Sequence, residues 1–354
     1  MKALLEKRER TGNYRRLSIG ENLIDFASND YLGLARHQGF IRAIKEEWKG
    51  CVGSTGSRLM TGDSHYAEEL EASLAQFHGF ESALLCGCGY MANIGLLSAL
   101  GNVGGVFFYD IQVHASLHDG LRLGRACAVP FRHNDLNHLE QRLQAHRGTD
   151  RRWIIVESIY STDGSQAHLE DLCALAGKYQ ARLIVDEAHA VGVRGEGRGL
   201  VAEKNLVPKV FALVVTFGKA LGSYGAAVLG STTLKDYLIN FARPFIYSTA
   251  LPYPVLASIK CAYQFLPTLQ AERTALQRLN ADTHIQSIPV KGNSEAHQLS
   301  QFLQREGFDV RPLLSPTVPA GQERLRLSLH AFNTNEELTR LSTLCINFGI
   351  PLPK

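Results

Sequence analysis

No stretch of the sequence runs for about 18 apolar residues without interruption, so no membrane-spanning helix is expected. The N-terminus, MKALLEKRER, turns charged before an apolar core of signal-peptide length accumulates, and the expectation is a soluble, cytoplasmic protein. Blocks of one charge are missing too. The 37 basic and 34 acidic residues are spread along the chain and leave a formal charge of +3, which calls for neither a nucleic-acid nor a membrane surface. Cysteine is scarce: seven in 354 residues, an odd number without regular spacing, suggests free thiols in a reducing compartment. The one close pair, Cys86 and Cys88, has no second pair at zinc-finger spacing, so no metal site is expected. There is no low-complexity segment, Gly/Ser linker or internal repeat. A phosphate loop of the form G-x-x-x-x-G-K-[ST] is also lacking, which removes the helicase reading of LIVDEAH, Leu183 to His189.

What is present is ordinary globular composition, 45% hydrophobic and 20% charged. The chain exceeds the usual limit of about 250 to 300 residues for one core, which implies a large domain and a smaller one. The expected division is an N-terminal arm over 1–27, a large domain over 28–265 and a small α+β domain over 266–354. RRWIIVES, ARLIVDEAH and KVFALVVTF read as strands, and LEDLCALAGKYQ as an amphipathic helix between the first two. Near-continuous apolar strands alternating with helices predict an α/β fold with a mostly parallel sheet covered on both faces. Beyond residue 265, AERTALQRLNADTHIQ reads as a polar helix, followed by short elements at SIPV, FDVRPL and ERLRLSLH.

Polar residues gather where the large-domain strands end: Glu157, Ser158 and Ser161, then Asp186 and His189, then Thr216 and Lys219. In parallel sheets ligands bind beyond the carboxyl ends of the strands. Polar strand ends also serve solvation and turns, so Asp186 alone has a plain reading as well. A carboxylate, a histidine three residues on and a lysine after the next strand make a coherent set for pyridoxal phosphate. The lysine can bond covalently to the cofactor, and the carboxylate can keep the pyridine nitrogen protonated. CGCGYMANIGLLSAL is a glycine-rich turn opening a helix, either a phosphate cradle or a simple turn. His114 and His118 lie four apart, but no carboxylate or third histidine stands at a zincin-like offset. His114 therefore reads as an aromatic plane and His118 as incidental, with satisfied core or surface histidines as the alternative.

From DFASNDYLGL at Asp25 the chain continues through GSTGSRLMTGDSHYAEELE, GCGYMAN, HASLHDGLRLG, ESIYSTDGSQAHL, VDEAHAVGVRGEGRGL, TFGKALG and YSTALP to SPTVPAGQERLRLSLH. In this order the motifs resemble the α-oxoamine synthases, within the fold-type I pyridoxal-phosphate enzymes. The resemblance implies that Lys219 holds the cofactor and moves the α-proton, that His114 stacks on the ring and that Asp186 partners the pyridine nitrogen. It implies that His189 donates to the ring hydroxyl oxygen and that Glu157 and Ser161 lie beside cofactor and substrate. Gly89 and Tyr90 would open the phosphate helix, Thr216 would sit on the phosphate side, and Asn29 would lie near the substrate. Ser248 and Thr249 would reach the phosphate of a neighbouring subunit in a homodimer. The implied activity is a decarboxylative Claisen condensation of L-alanine with a pimeloyl thioester carried by coenzyme A or acyl carrier protein. Glycine with acetyl-coenzyme A, or a serine palmitoyltransferase-like reaction, is the family alternative, and a non-catalytic partner subunit is the alternative outside it. Three departures stand out. Cys88-Gly89 replaces the family's common Ser-Gly, and Leu314-Ser315 stands where an arginine usually precedes PTVP. That leaves Arg311 for the substrate carboxylate, with Arg324 and Arg326 in reserve. With the short N-terminal arm, the acyl-contacting arginine of the family is Arg16 or Arg15, or is absent.

Overall fold

Apolar runs in the sequence become strands buried along nearly their whole length. The computed structural model describes residues 1–17, 19, 20, 22–125, 127–279 and 282–350. Its first eight strands are β1 (Ile24–Asp25), β2 (Ser82–Cys86), β3 (Val106–Asp110), β4 (Cys127–Phe131), β5 (Arg152–Glu157), β6 (Arg182–Asp186), β7 (Ala212–Thr216) and β8 (Ala226–Gly230). Every residue of β5, β7 and β8 is buried, as a sheet covered on both faces requires. The chain divides into two compact units: residues 32–160 with 165–271, and residues 1–31 with 161–164 and 272–354.

In the larger unit seven strands form one sheet in the order β2-β8-β7-β6-β5-β3-β4. Only β8 runs against its neighbours; the pairs from β7 to β4 are parallel. The chain goes from β3 outward to β4 and then returns to the other side of β3 as β5. Strand order thus reverses between β3 and β5, and parallel sheets bind ligands in the crevice beyond the carboxyl ends at such a reversal. Two helices beside this point, Gly89–Val103 and Ala115–Leu123, pack closely because Gly120 has no side chain. A Cβ there would lie 2.9 Å from the Asn93 carbonyl oxygen and 3.0 Å from Leu97 Cβ.

The smaller unit adds β9 (Ile285–Pro289), β10 (Phe308–Asp309), β11 (Arg311–Leu313) and β12 (Arg324–Ser328). β11, β12 and β9 form an antiparallel sheet, and β1 pairs in parallel with β10. That pairing draws the stretch expected as a separate arm into the C-terminal unit, whose boundaries fall at residues 31 and 272. Of the expected long polar helix, Gln270–Leu279 is helical, whereas Ile285 and Gln286 belong to β9. A capping box between Thr334 and Glu337 starts the helix Asn335–Asn347. Among the described residues no helix is long and apolar enough to cross a membrane.

Candidate active site

Strand ends bring the large unit's polar residues to the crevice. Asp186 closes β6 and is 5% exposed. Its Oδ1 accepts from the Ala188 N–H at 2.9 Å and its Oδ2 from the Asn93 amide at 2.7 Å. His189, three residues on, is buried as well. Thr216 ends β7, and its hydroxyl donates to the Ala188 carbonyl at 3.4 Å. Lys219 follows, half-buried, in a loop whose backbone is closed by Phe217 N–H to Gly225 (3.0 Å), Ser223 N–H to Phe217 (2.9 Å) and Gly222 N–H to Lys219 (2.8 Å).

The reversal point is closed by a direct link. Glu157 at the end of β5 accepts the His114 backbone N–H at 2.5 Å, joining it to the loop between β3 and the helix Ala115–Leu123. His114 is the N-cap of the helix Ala115–Leu123, and its Nδ1 accepts from the Ser116 N–H. His114 is an exposed residue, yet desolvation, the largest influence, lowers its pKa. Asp186 opposes that shift, and the charge of Lys219 reinforces it. The Tyr90 ring meets His114 edge-on, with centroids 6.3 Å apart, and its hydroxyl donates to Asp119.

The start of the helix Gly89–Val103 lies against Thr216: a Cβ on Gly89 would come 2.6 Å from Thr216 Cγ2, so only glycine fits. Its N-cap, Cys88, makes no side-chain capping bond, which leaves the first backbone N–H groups for an anion. Ser248, half-buried, and Thr249, exposed, share an apolar cavity wall with Gly87 and Met91 of that helix start. Ser161 lies in the turn 161–164, grouped with the smaller unit.

In that unit Asn29 sits beside an arginine. Arg326 donates to Asn29 Oδ1 at 2.9 Å and to the Tyr31 hydroxyl at 3.1 Å, and its buried Nε has no hydrogen-bond partner among the described residues. Arg311, directly across the β11–β12 ladder from Arg326, forms an ion pair with Asp309 at 2.6 Å. Arg324 is 3.5 Å from Asp163. Arg16 is exposed and 3.6 Å from Glu9, and Arg15 donates to Thr317 at 3.1 Å.

Two residues of the crevice escaped sequence reasoning, Asn93 and Ser116. Asn93 did leave a signal: it is a polar residue within the apolar helical run MANIGLLSAL, and buried polar groups need partners. Beside the crevice, the fully buried Glu187 is pushed up by its burial to about 8. A raised folded pKa means that the native state keeps a proton the unfolded chain has already lost. The resulting stabilisation is complete below the ordinary glutamate range and disappears as pH rises through about 8. Calorimetry from pH 5 to 9 is expected to show the wild type losing stability relative to Glu187→Gln as pH rises. Parallel curves would show that Glu187 is ionised in the native state.

The donor set suits pyridoxal phosphate. A buried carboxylate that accepts the Ala188 and Asn93 N–H groups can also face a protonated ring nitrogen; a lysine loop and a helix start without a side-chain cap complete the set. The comparisons agree. The family described as aminotransferase class I and II matches residues 21–343. A putative 8-amino-7-oxononanoate synthase of Pasteurella multocida is 42% identical over 331 residues, 87% of this chain and 86% of the relative. The solved 8-amino-7-oxononanoate synthase of Francisella tularensis is 28% identical with a TM-score of 0.79, over 92% of this chain and 97% of that one. A serine palmitoyltransferase of S. paucimobilis, solved with a bound PLP–myriocin adduct, is 27% identical with a TM-score of 0.88, over 98% and 97% of the two chains. The chain therefore belongs to the aminotransferase class I and II family, among the fold-type I pyridoxal-phosphate enzymes, as an acyltransferase on the 8-amino-7-oxononanoate synthase branch of the α-oxoamine synthases.

Proposed function

We propose that this enzyme condenses L-alanine with a pimeloyl thioester, forming a carbon–carbon bond as the thioester C–S bond breaks and carbon dioxide leaves. The products are 8-amino-7-oxononanoate and a free thiol carrier. The observation that carries the reading is the cluster at the β3/β5 reversal, where the Asp186 carboxylate and Lys219 lie close enough to act on the His114 imidazole. When bound, pyridoxal phosphate supplies an electron sink for the α-carbon of the amino acid. Asp186 would hold the proton on the ring nitrogen, His114 would cover one ring face and His189 would donate to the ring hydroxyl oxygen. Thr216 and the backbone N–H groups from Gly89 would take the phosphate. Lys219 would hold the cofactor and, once released, carry the α-proton on Nζ.

Of the three arginines considered for the carboxylate of the amino acid, Arg326 is the best placed chemically. Asn29 and Tyr31 orient its guanidinium, and its Nε has no hydrogen-bond partner among the described residues, whereas Arg311 is engaged by Asp309. Hydrogen bonds to charged groups are worth about 1.5 to 3 kcal/mol, so Arg326→Ala is expected to raise KM for alanine roughly tenfold to a hundredfold. Arg311→Ala should change it little. Steady-state kinetics of both variants decides, and the reverse pattern would return the role to Arg311. Arg16 remains the proposed contact for the acyl group. The same reading makes the enzyme a cytoplasmic homodimer in which Ser248 and Thr249 serve the neighbouring subunit's phosphate.

Titration of the cofactor-loaded enzyme with L-alanine, glycine and L-serine tests the substrate, followed by pimeloyl-coenzyme A and pimeloyl-acyl carrier protein. A saturable visible-absorbance change with alanine, and product with a pimeloyl thioester, support the reading. Preference for glycine with acetyl-coenzyme A would move the enzyme to 2-amino-3-ketobutyrate coenzyme A ligase chemistry, and preference for serine to a palmitoyltransferase-like one.

A further inference from the structure

Asn93 is 2% exposed, and the position of its amide decides where protons lie around it. The nitrogen donates to Asp186 Oδ2 at 2.7 Å and to Ser116 Oγ at 2.9 Å. Flipping the amide would set its oxygen against a carboxylate oxygen, so Asp186 fixes its orientation. Ser116 is fully buried. Its Oγ already accepts from Asn93, and its hydroxyl proton is left to donate to His114 Nδ1 at 2.8 Å. The Ser116 backbone N–H points at the same nitrogen from 3.3 Å. An imidazole nitrogen facing two donors must present its lone pair, which places the ring proton on Nε2.

We propose that Asn93 and Ser116 are positioning residues that carry the orientation of the Asp186 carboxylate into one tautomer of His114, neutral and protonated on Nε2. Glu157 fixes the backbone of the same residue through its 2.5 Å contact. Asp186, Lys219, His118 and Asp119 are the titratable groups that act on the ring, and with burial their combined effect favours the uncharged form. The tautomer follows from the hydrogen-bond geometry alone. Its consequence, that a neutral ring and not a cation covers the protonated cofactor, rests on the proposed role of His114.

Histidine-selective 13C and 15N NMR of the cofactor-loaded enzyme tests this, with His114 assigned by the signals lost in His114→Gln. The wild type is expected to show a single Nε2–H tautomer. Ser116→Thr, which keeps the hydroxyl, should retain it, and Ser116→Ala should shift the population toward Nδ1–H. Asn93→Leu should weaken cofactor binding about tenfold, the loss expected for one charge-assisted hydrogen bond. If Asn93→Leu fails to fold, the Ser116 pair still decides the matter, because a residue with a purely packing role would not alter a tautomer. Wild-type His114 protonated on Nδ1, or an unchanged tautomer in Ser116→Ala, overturns the proposal. Substrate identity does not enter these readouts, so a different amino acid or acyl group would leave the result standing.

Discussion

Lys219→Ala is expected to lower turnover at least about a thousandfold, because under the roles proposed above the variant loses both the amine that would hold the cofactor and the group that would move the α-proton. β7 is buried throughout, and three backbone hydrogen bonds of the following loop fix the backbone that carries Lys219. Lys219→Arg should fail as badly, since a guanidinium keeps its charge but is never an available amine. Two readouts separate this role from a structural one. After borohydride reduction the intact wild-type chain should carry the mass of the cofactor, and Lys219→Ala should not. Melting temperatures of the cofactor-free proteins should agree closely, because the side chain is only half-buried. Normal turnover in Lys219→Ala would end the assignment.

The crevice was readable in the sequence because parallel strands covered on both faces appear as unbroken apolar runs, and the residue that breaks each run marks a strand end. Asp186, Thr216 and Glu157 each end such a strand, and His189 and Lys219 follow within three residues. Where short elements meet in three dimensions the sequence was less informative. Ile285–Pro289 is five residues long, too short for its periodicity to separate it from a continuing helix. The β1–β10 pairing involves two residues on each strand, nearly 300 positions apart, and nothing local announces it. The arginines show the same limit. Arg311 and Arg326 face each other across an antiparallel ladder, so each needs its own partner, and only the folded chain shows that Asp309 takes one and Asn29 with Tyr31 the other. Asn93 and Ser116 are brought together by two helices that approach closely at Gly120.

Asp186→Asn is expected to lower turnover about a hundredfold to ten-thousandfold, the range spanned by removing one preorganised charge or proton partner from an active site. The substitution keeps the shape and removes the negative charge, so a protonated ring nitrogen would lose its counter-ion. It also disturbs the hydrogen bonds. Both Asp186 oxygens accept N–H groups, from Ala188 and Asn93, and an amide offers only one oxygen, so one donor would face the new NH2 group. That mismatch costs about 1 to 3 kcal/mol and should appear in the melting of the cofactor-free variant. The catalytic loss should appear only in the loaded enzyme. Comparing kcat, cofactor affinity and melting separates the two effects: a variant that melts lower yet turns over normally would reduce Asp186 to a structural residue. A loss of turnover larger than the stability change explains would identify the charge itself as what the chemistry requires. In that case Asp186→Glu should not restore turnover, because the added methylene moves the carboxylate away from the Asn93 amide and out of line with the ring nitrogen it is proposed to serve.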